Sequence, residues 1–175
     1  MSQDVGQDLT LMFVDIPAAV SQAEGKSVPR SRGDVEHCLS LLEGIQKRHG
    51  GKFAREVGNT LVCCFDTPGE GVRAACEMQQ AVSAEESEGV PVPGLRIALH
   101  AGQAIMRNGV CTGEVMTTAA RLVTVAHPGQ IITTDRVTGR LGSEAGVQIA
   151  EAPNASGMET RLRVRLFQVC WGQET

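Results

Sequence analysis

The feature that most constrains the fold is a change of period between Asp34 and Val82. Apolar residues recur at Val35, Cys38, Leu39, Leu42 and Ile45, the three-to-four spacing of an amphipathic helix, with Asp34 as N-cap and Gly50-Gly51 as the stop. The pattern then changes to two short strand-like runs, Phe53 to Val57 and Thr60 to Phe65, flanking Gly58-Asn59. Both turn residues tolerate positive φ, so a hairpin is expected. Pro68 opens a second helix, with a stripe at Val72, Ala75, Cys76, Met78, Gln79 and Val82. A β-hairpin between two amphipathic helices needs an apolar layer on which the helices can lie.

The flanking segments supply one. Leu9 to Ile16 reads as a buried strand ending at Asp15, followed by a polar, turn-containing stretch through Ser27, Pro29 and Gly33. Beyond an acidic surface loop at Glu85 to Gly94, Leu95 to Met106 reads as a strand broken by Gly102, and Glu114 to Val125 as a short helix. Ile131 to Thr134 is a strand, Asp135 to Leu141 is helical, and Val147 to Ala150 and Leu162 to Val169 are strands. Arg161, Arg163 and Arg165 would then alternate on one solvent-facing face. The order β-α-β-β-α-β-α-β-α-β-β argues for one α/β sandwich over residues 1–175.

Composition narrows the function classes. With 20 acidic and 16 basic side chains, a net charge of −4 and no long run of one sign, nothing favours nucleic-acid or anionic-membrane binding. No apolar stretch reaches the roughly 18 residues of a spanning helix, and polar Met1 to Asp8 does not read as a signal peptide. Six scattered cysteines without a CxxC pair fit a reduced cytoplasmic chain with thiols used as small core hydrophobes, and the four histidines lack zinc-ligand spacing.

Five stretches carry a resemblance: Phe13 to Ile16, Arg48 to Gly51, Arg55 to Asn59, Ala98 to Gly102 and Gly113 to Leu122, followed by Pro128-Gly129-Gln130-Ile131. In order and spacing they resemble the F-x-D-I, R-H-G-G, K-x-x-G-D, G-I-H-x-G and G-D-x-V-N-x-A-x-R-L motifs of class III adenylate/guanylate cyclase catalytic domains. The resemblance covers about Leu9 to Val169. It implies the nucleotide cyclase fold, a ferredoxin-like βαββαβ core with additional helices and C-terminal strands.

It also implies where a site would lie and how it has changed. Two carboxylates of the family hold two divalent cations; Asp15 matches the first, while Asn59 stands at the second and offers a neutral oxygen only. Arg55 takes the place of a base-reading lysine, and Val110, with Cys111 and Thr112 beside it, falls at the base-reading acid. Thr117 replaces a transition-state asparagine, whereas Arg121 is retained. The phosphate-wrapping Gly-Phe-Thr turn reads Ala18-Ala19-Val20 after Pro17, and the late phosphate lysine aligns with Ser156.

The expected function is a degenerate cyclase-homology domain, inactive or very weak, acting by dimerisation, protein-partner binding or nucleotide sensing. The alternative is an active adenylate or guanylate cyclase. The resemblance implies a homodimer or a heterodimer with another cyclase-like domain, and a purine nucleotide as ligand. Mg or Mn is needed if the domain is active, and no cofactor if it is not.

Overall fold

The computed structural model describes residues 6–17, 19–21, 27–29, 31–87, 94–142, 146–152 and 156–172. The elements in chain order are β1 (Gly6–Asp15), β2 (Ala19–Ser21), β3 (Ser27–Pro29), α1 (Arg32–Arg48), β4 (Phe53–Val57), β5 (Thr60–Phe65) and α2 (Pro68–Ser87). They continue with β6 (Arg96–Arg107), β7 (Val110–Thr112), α3 (Glu114–Val123), β8 (Ile131–Thr134), α4 (Asp135–Thr138), β9 (Gln148–Glu151), α5 (Ser156–Leu162) and β10 (Leu166–Cys170).

One sheet runs β4-β5-β1-β6-β8-β10-β9, with β7 folded back on β6. β1 lies antiparallel between β5 and β6, and β6 runs parallel to β8. The β1-α1-β4-β5-α2-β6 portion, in spatial order β4-β5-β1-β6, is the expected ferredoxin-like core. β1 is apolar on both faces because both are covered. Met12, Val14 and Ile16 pack with Leu39, Leu42 and Ile45 of α1 and Val72, Ala75 and Met78 of α2. Leu9, Leu11 and Phe13 pack with Val115, Ala119 and Leu122 of α3 on the opposite face.

The β4–β5 hairpin closes through Gly58-Asn59 as expected, with Val57 paired to Thr60. Positive φ falls on Gly58 (60°) and not on Asn59, the requirement of a II′ turn. Ser31, not Asp34, caps α1: its hydroxyl accepts the Asp34 amide at 3.1 Å, which places Asp34 inside the first turn, where a carboxylate suits the helix dipole.

Several expectations are corrected. Gly102 does not break β6; it pairs with Leu9, and Val115 of α3 packs over it, a Cβ there meeting that residue at an ordinary contact distance of 3.5 Å. α2 continues through Ser87, so Glu85 is helical, and the remainder of the expected loop, 88–93, lies outside the described residues. α4 stops at Thr138 rather than Leu141. The short pair β2–β3 occupies part of the stretch read as polar and turn-containing. Ser156 to Leu162 is helical, so Arg161, Arg163 and Arg165 do not alternate on a strand: Arg161 lies in α5, Arg163 has φ 55°, and Arg165 precedes β10. Arg165 instead pairs with Glu151 and lies over the Phe167 ring.

Among the described residues, no helix is long and apolar enough to cross a membrane. No disulfide forms among the described residues, and Cys38, Cys63, Cys64, Cys76 and Cys111 are buried, as core use of the thiols requires. Burial raises the Cys63 and Cys111 thiols and pushes Cys76 up to about 11, which keeps them protonated and unreactive.

Candidate functional site

Strand pairing places Asp15. It is the last residue of β1, paired across to Thr60 on one side and Arg96 on the other. Residues opposite one another in a ladder share a face, so all three side chains project on the α3 side of the sheet. The Thr60 hydroxyl donates to Asp15 Oδ1 at 3.2 Å, and Arg96 Nη1 lies 3.7 Å from Oδ2. Asn59 is held next to this group because the Ile16 amide donates to its carbonyl at 2.9 Å. The hairpin thus brings together the two positions that the resemblance assigned to cations.

The donor set does not fit a pair of dications. Two such ions about 4 Å apart repel by about 17 kcal/mol at an effective dielectric of 20, and surrounding carboxylates must offset that. Asp15 supplies one negative charge, Asn59 supplies none, and Arg96 adds a positive one. Among the described residues, no group of three or more His, Cys, Asp or Glu is placed to hold a metal.

Arg96 is the site residue that sequence reasoning missed. It is a cation at the start of the apolar run Leu95 to Leu99, which reads as a strand boundary. Only the register of β1 against β6 shows that this boundary lies beside Asp15. Its Nε is buried and finds no acceptor among the described residues.

The remaining expected positions lie elsewhere. β7 pairs Val110 with Arg107, eleven residues along β6 from the Arg96–Asp15 rung, or about 36 Å at 3.3 Å per residue. Val110 is 44% exposed, while its neighbour Cys111 is buried. Gly113, with φ 127°, turns the chain into α3, which packs back over β6 and β1. Val115, Thr118, Ala119 and Leu122 face the sheet, which leaves Thr117 and Arg121, one turn apart, exposed on the outer face. Arg55 is exposed on edge strand β4, paired to Val62, whose own partner in β1 is Phe13. It therefore shares the α3-side face two strands from β1. Ser156 opens α5, its side chain outside what is described; Ala18 also lies outside the described residues. Within one chain Asp15 and Asn59 form one end of the surface, and Val110 marks the other.

His100 belongs to neither end. Its Nδ1 is 2.8 Å from the Thr134 hydroxyl, and burial, reinforced by Arg136, lowers its pKa to about 4. The imidazole is neutral at pH 7, a satisfied core group bridging β6 and β8.

The core and its β8–β10 extension define the fold: it is that of the class III adenylate/guanylate cyclase catalytic domain. No family model matches it. Among solved structures it superposes on the adenylyl cyclase CyaB of P. aeruginosa with a TM-score of 0.76, at 16% identity and with 97% of each chain covered. An uncharacterized protein of Mycobacterium tuberculosis is 33% identical over 145 residues, 78% of this chain and 47% of that protein. A pH-sensitive adenylate cyclase of the same species is 24% identical over 177 residues, 93% of this chain and 41% of that protein. The chain spans less than half the length of these curated relatives.

Proposed function

We propose that this chain is a purine-nucleotide-sensing cyclase-homology domain that pairs with a second cyclase-like domain and turns over nucleoside triphosphate slowly or not at all. The observation that carries this reading is the Asp15 end of the sheet. The Asp15 carboxylate is paired by Arg96 there, and Asn59, whose backbone carbonyl holds the Ile16 amide, brings no charge of its own. Cyclisation of a triphosphate on two cations needs the charge that Asn59 does not supply. At the far end, apolar Val110 offers a purine no side-chain hydrogen bond. Losing one transition-state interaction costs about 10²–10³ in rate, so two independent losses reduce turnover about 10⁴-fold or more.

The test is direct. Purified protein with ATP or GTP and Mn²⁺ is expected to make no more cyclic nucleotide than its Asp15→Ala variant, while calorimetry detects binding of a purine triphosphate. Turnover well above that control refutes the proposal. Absence of heat with every purine nucleotide leaves pairing with protein partners as its remaining content.

A working cyclase is the second reading. It is favoured by the placement of Thr117 and Arg121 on one exposed helix face, a hydroxyl and a guanidinium able to meet a phosphate brought by another chain. The same assay decides it.

A further inference from the structure

The mismatch between the Asp15 end and a pair of divalent cations has a specific cause. We infer that Arg96 acts as the resident counter-cation of Asp15 and keeps divalent ions off the cyclase-homology domain until it is displaced. This rests on the proposed function and adds its regulation: the site is closed to metal by a side chain of the chain itself.

Three observations converge. Arg96 is the direct cross-strand partner of Asp15, so backbone pairing and not a mobile loop delivers the guanidinium. Nη1 lies 3.7 Å from Oδ2, while Oδ1 is taken by the Thr60 hydroxyl at 3.2 Å, so both carboxylate oxygens are engaged. The backbone that carries Arg96 is anchored: Leu95 just before it is clamped at both its amide and its carbonyl by the Gln79 side chain. The buried Nε has no acceptor among the described residues, so Nη1–Oδ2 is the contact that balances the charge.

A divalent ion approaching Asp15 meets half the charge it needs already neutralised and a positive group within about 4 Å. In a water-like dielectric that repulsion is worth about a 30-fold change in affinity. A site retaining both carboxylates could overcome it; Asn59 removes the second, so in this chain the guanidinium prevails.

The experiment is Mn²⁺ binding, followed by electron paramagnetic resonance of the free ion, on the whole chain without nucleotide. Wild type is expected to bind weakly. Arg96→Gln and Arg96→Met should each tighten binding about 10- to 30-fold, Arg96→Lys should leave it near wild type, and Arg96→Gln combined with Asp15→Asn should lose the gain. Circular dichroism melts identify which variants are folded. Folded neutral variants with unchanged or weaker affinity overturn the inference. So does micromolar Mn²⁺ binding by wild type at a site lost on Asp15→Asn, a result that requires no Arg96 variant to fold. Cyclic nucleotide is then measured after ATP or GTP is added to aliquots of each variant: turnover by wild type defeats the proposed function, whereas unchanged affinity in the neutral variants defeats only the role of Arg96.

Discussion

Replacing Gln79 by Leu tests whether α2 is keyed to the sheet by hydrogen bonds or by apolar contact alone. Gln79 sits in the helix stripe and is 1% exposed. Its Nε2 donates to the Leu95 carbonyl at 2.7 Å and to the Gln130 carbonyl at 3.4 Å, and its Oε1 accepts the Leu95 amide at 3.1 Å. The two carbonyls have other donors: the Gly129 amide reaches Leu95 O, and the Ile97 amide reaches Gln130 O. Gln79→Leu therefore leaves one group without a partner, the Leu95 amide. A buried orphan donor costs about 1–3 kcal/mol, and two lost carbonyl contacts add about 1 kcal/mol between them after the gain from an apolar side chain. The expected loss is about 3 kcal/mol, or about 6–12 °C in Tm for a chain of this size.

Scanning calorimetry at pH 7 measures this directly. Gln79→Glu serves as the shape control. It keeps an acceptor for Leu95 but turns a carboxylate on two carbonyls, so it should be destabilised at pH 7 and recover as acid protonates it. Neighbouring Gln80, exposed and donating to the Trp171 carbonyl, should tolerate Ala within about 0.5 kcal/mol. A shift under 1 °C for Gln79→Leu would show that the clamp contributes nothing and that packing alone docks α2.

Three further outcomes follow from the geometry. The folded pKa of His100, about 4, lies below the ordinary value near 6.5, so the unfolded chain binds the extra proton between these limits. Stability present above pH 6.5 is therefore lost as pH falls; from pH 6.5 to 5 the loss should be about 1–2 kcal/mol more in wild type than in His100→Gln, measured by urea unfolding. Ser31→Ala removes the α1 cap and should cost about 1 kcal/mol, read from the urea midpoint at constant m-value. Leu42, fully buried between α1 and the sheet, should lose about 2–5 kcal/mol on change to Ala by the same measurement.

The sequence revealed the elements whose periodicity is set by burial. β1, the hairpin, the apolar stripe of α2 and β8 were legible because each shows an apolar pattern imposed by a covered face. The stretch Leu162 to Val169 misled for the opposite reason: spaced arginines mimic strand alternation, while the turn at Arg163 and the helix before it are held by tertiary bonds. Val164 donates its amide to the Glu159 carbonyl, and Leu166 donates to the Glu159 carboxylate. Gly102 misled because pairing with Leu9, distant in sequence, holds it in the strand. At the site, the nearness of Asp15 and Asn59 follows from adjoining strand ends. Arg96 was invisible for want of a register: β6 can slide along β1 in any reading of the sequence, and only one alignment puts that cation on the rung of Asp15.

The length of β6 bears on what pairing could achieve. With about 36 Å of strand between the Asp15 rung and Val110, the two ends cannot close on one nucleotide within a chain. Under the proposed pairing, a second copy must bring its far end to this chain's Asp15. Two identical copies then form two equivalent sites, each combining the lone carboxylate and Arg96 of one chain with Val110 and Thr117 of the other. Symmetry compounds the substitutions and repairs none. A different partner with both carboxylates intact would meet only Val110 and the exposed α3 face that carries Thr117 and Arg121. One with an intact base-reading end would meet the Asp15 end, where Arg96 opposes the metal. Under the proposed function the first combination would retain more of the chemistry, so catalytic use of this chain would run through its α3 face and a partner's metal, with Asp15 and Arg96 left as a charge-balanced pair.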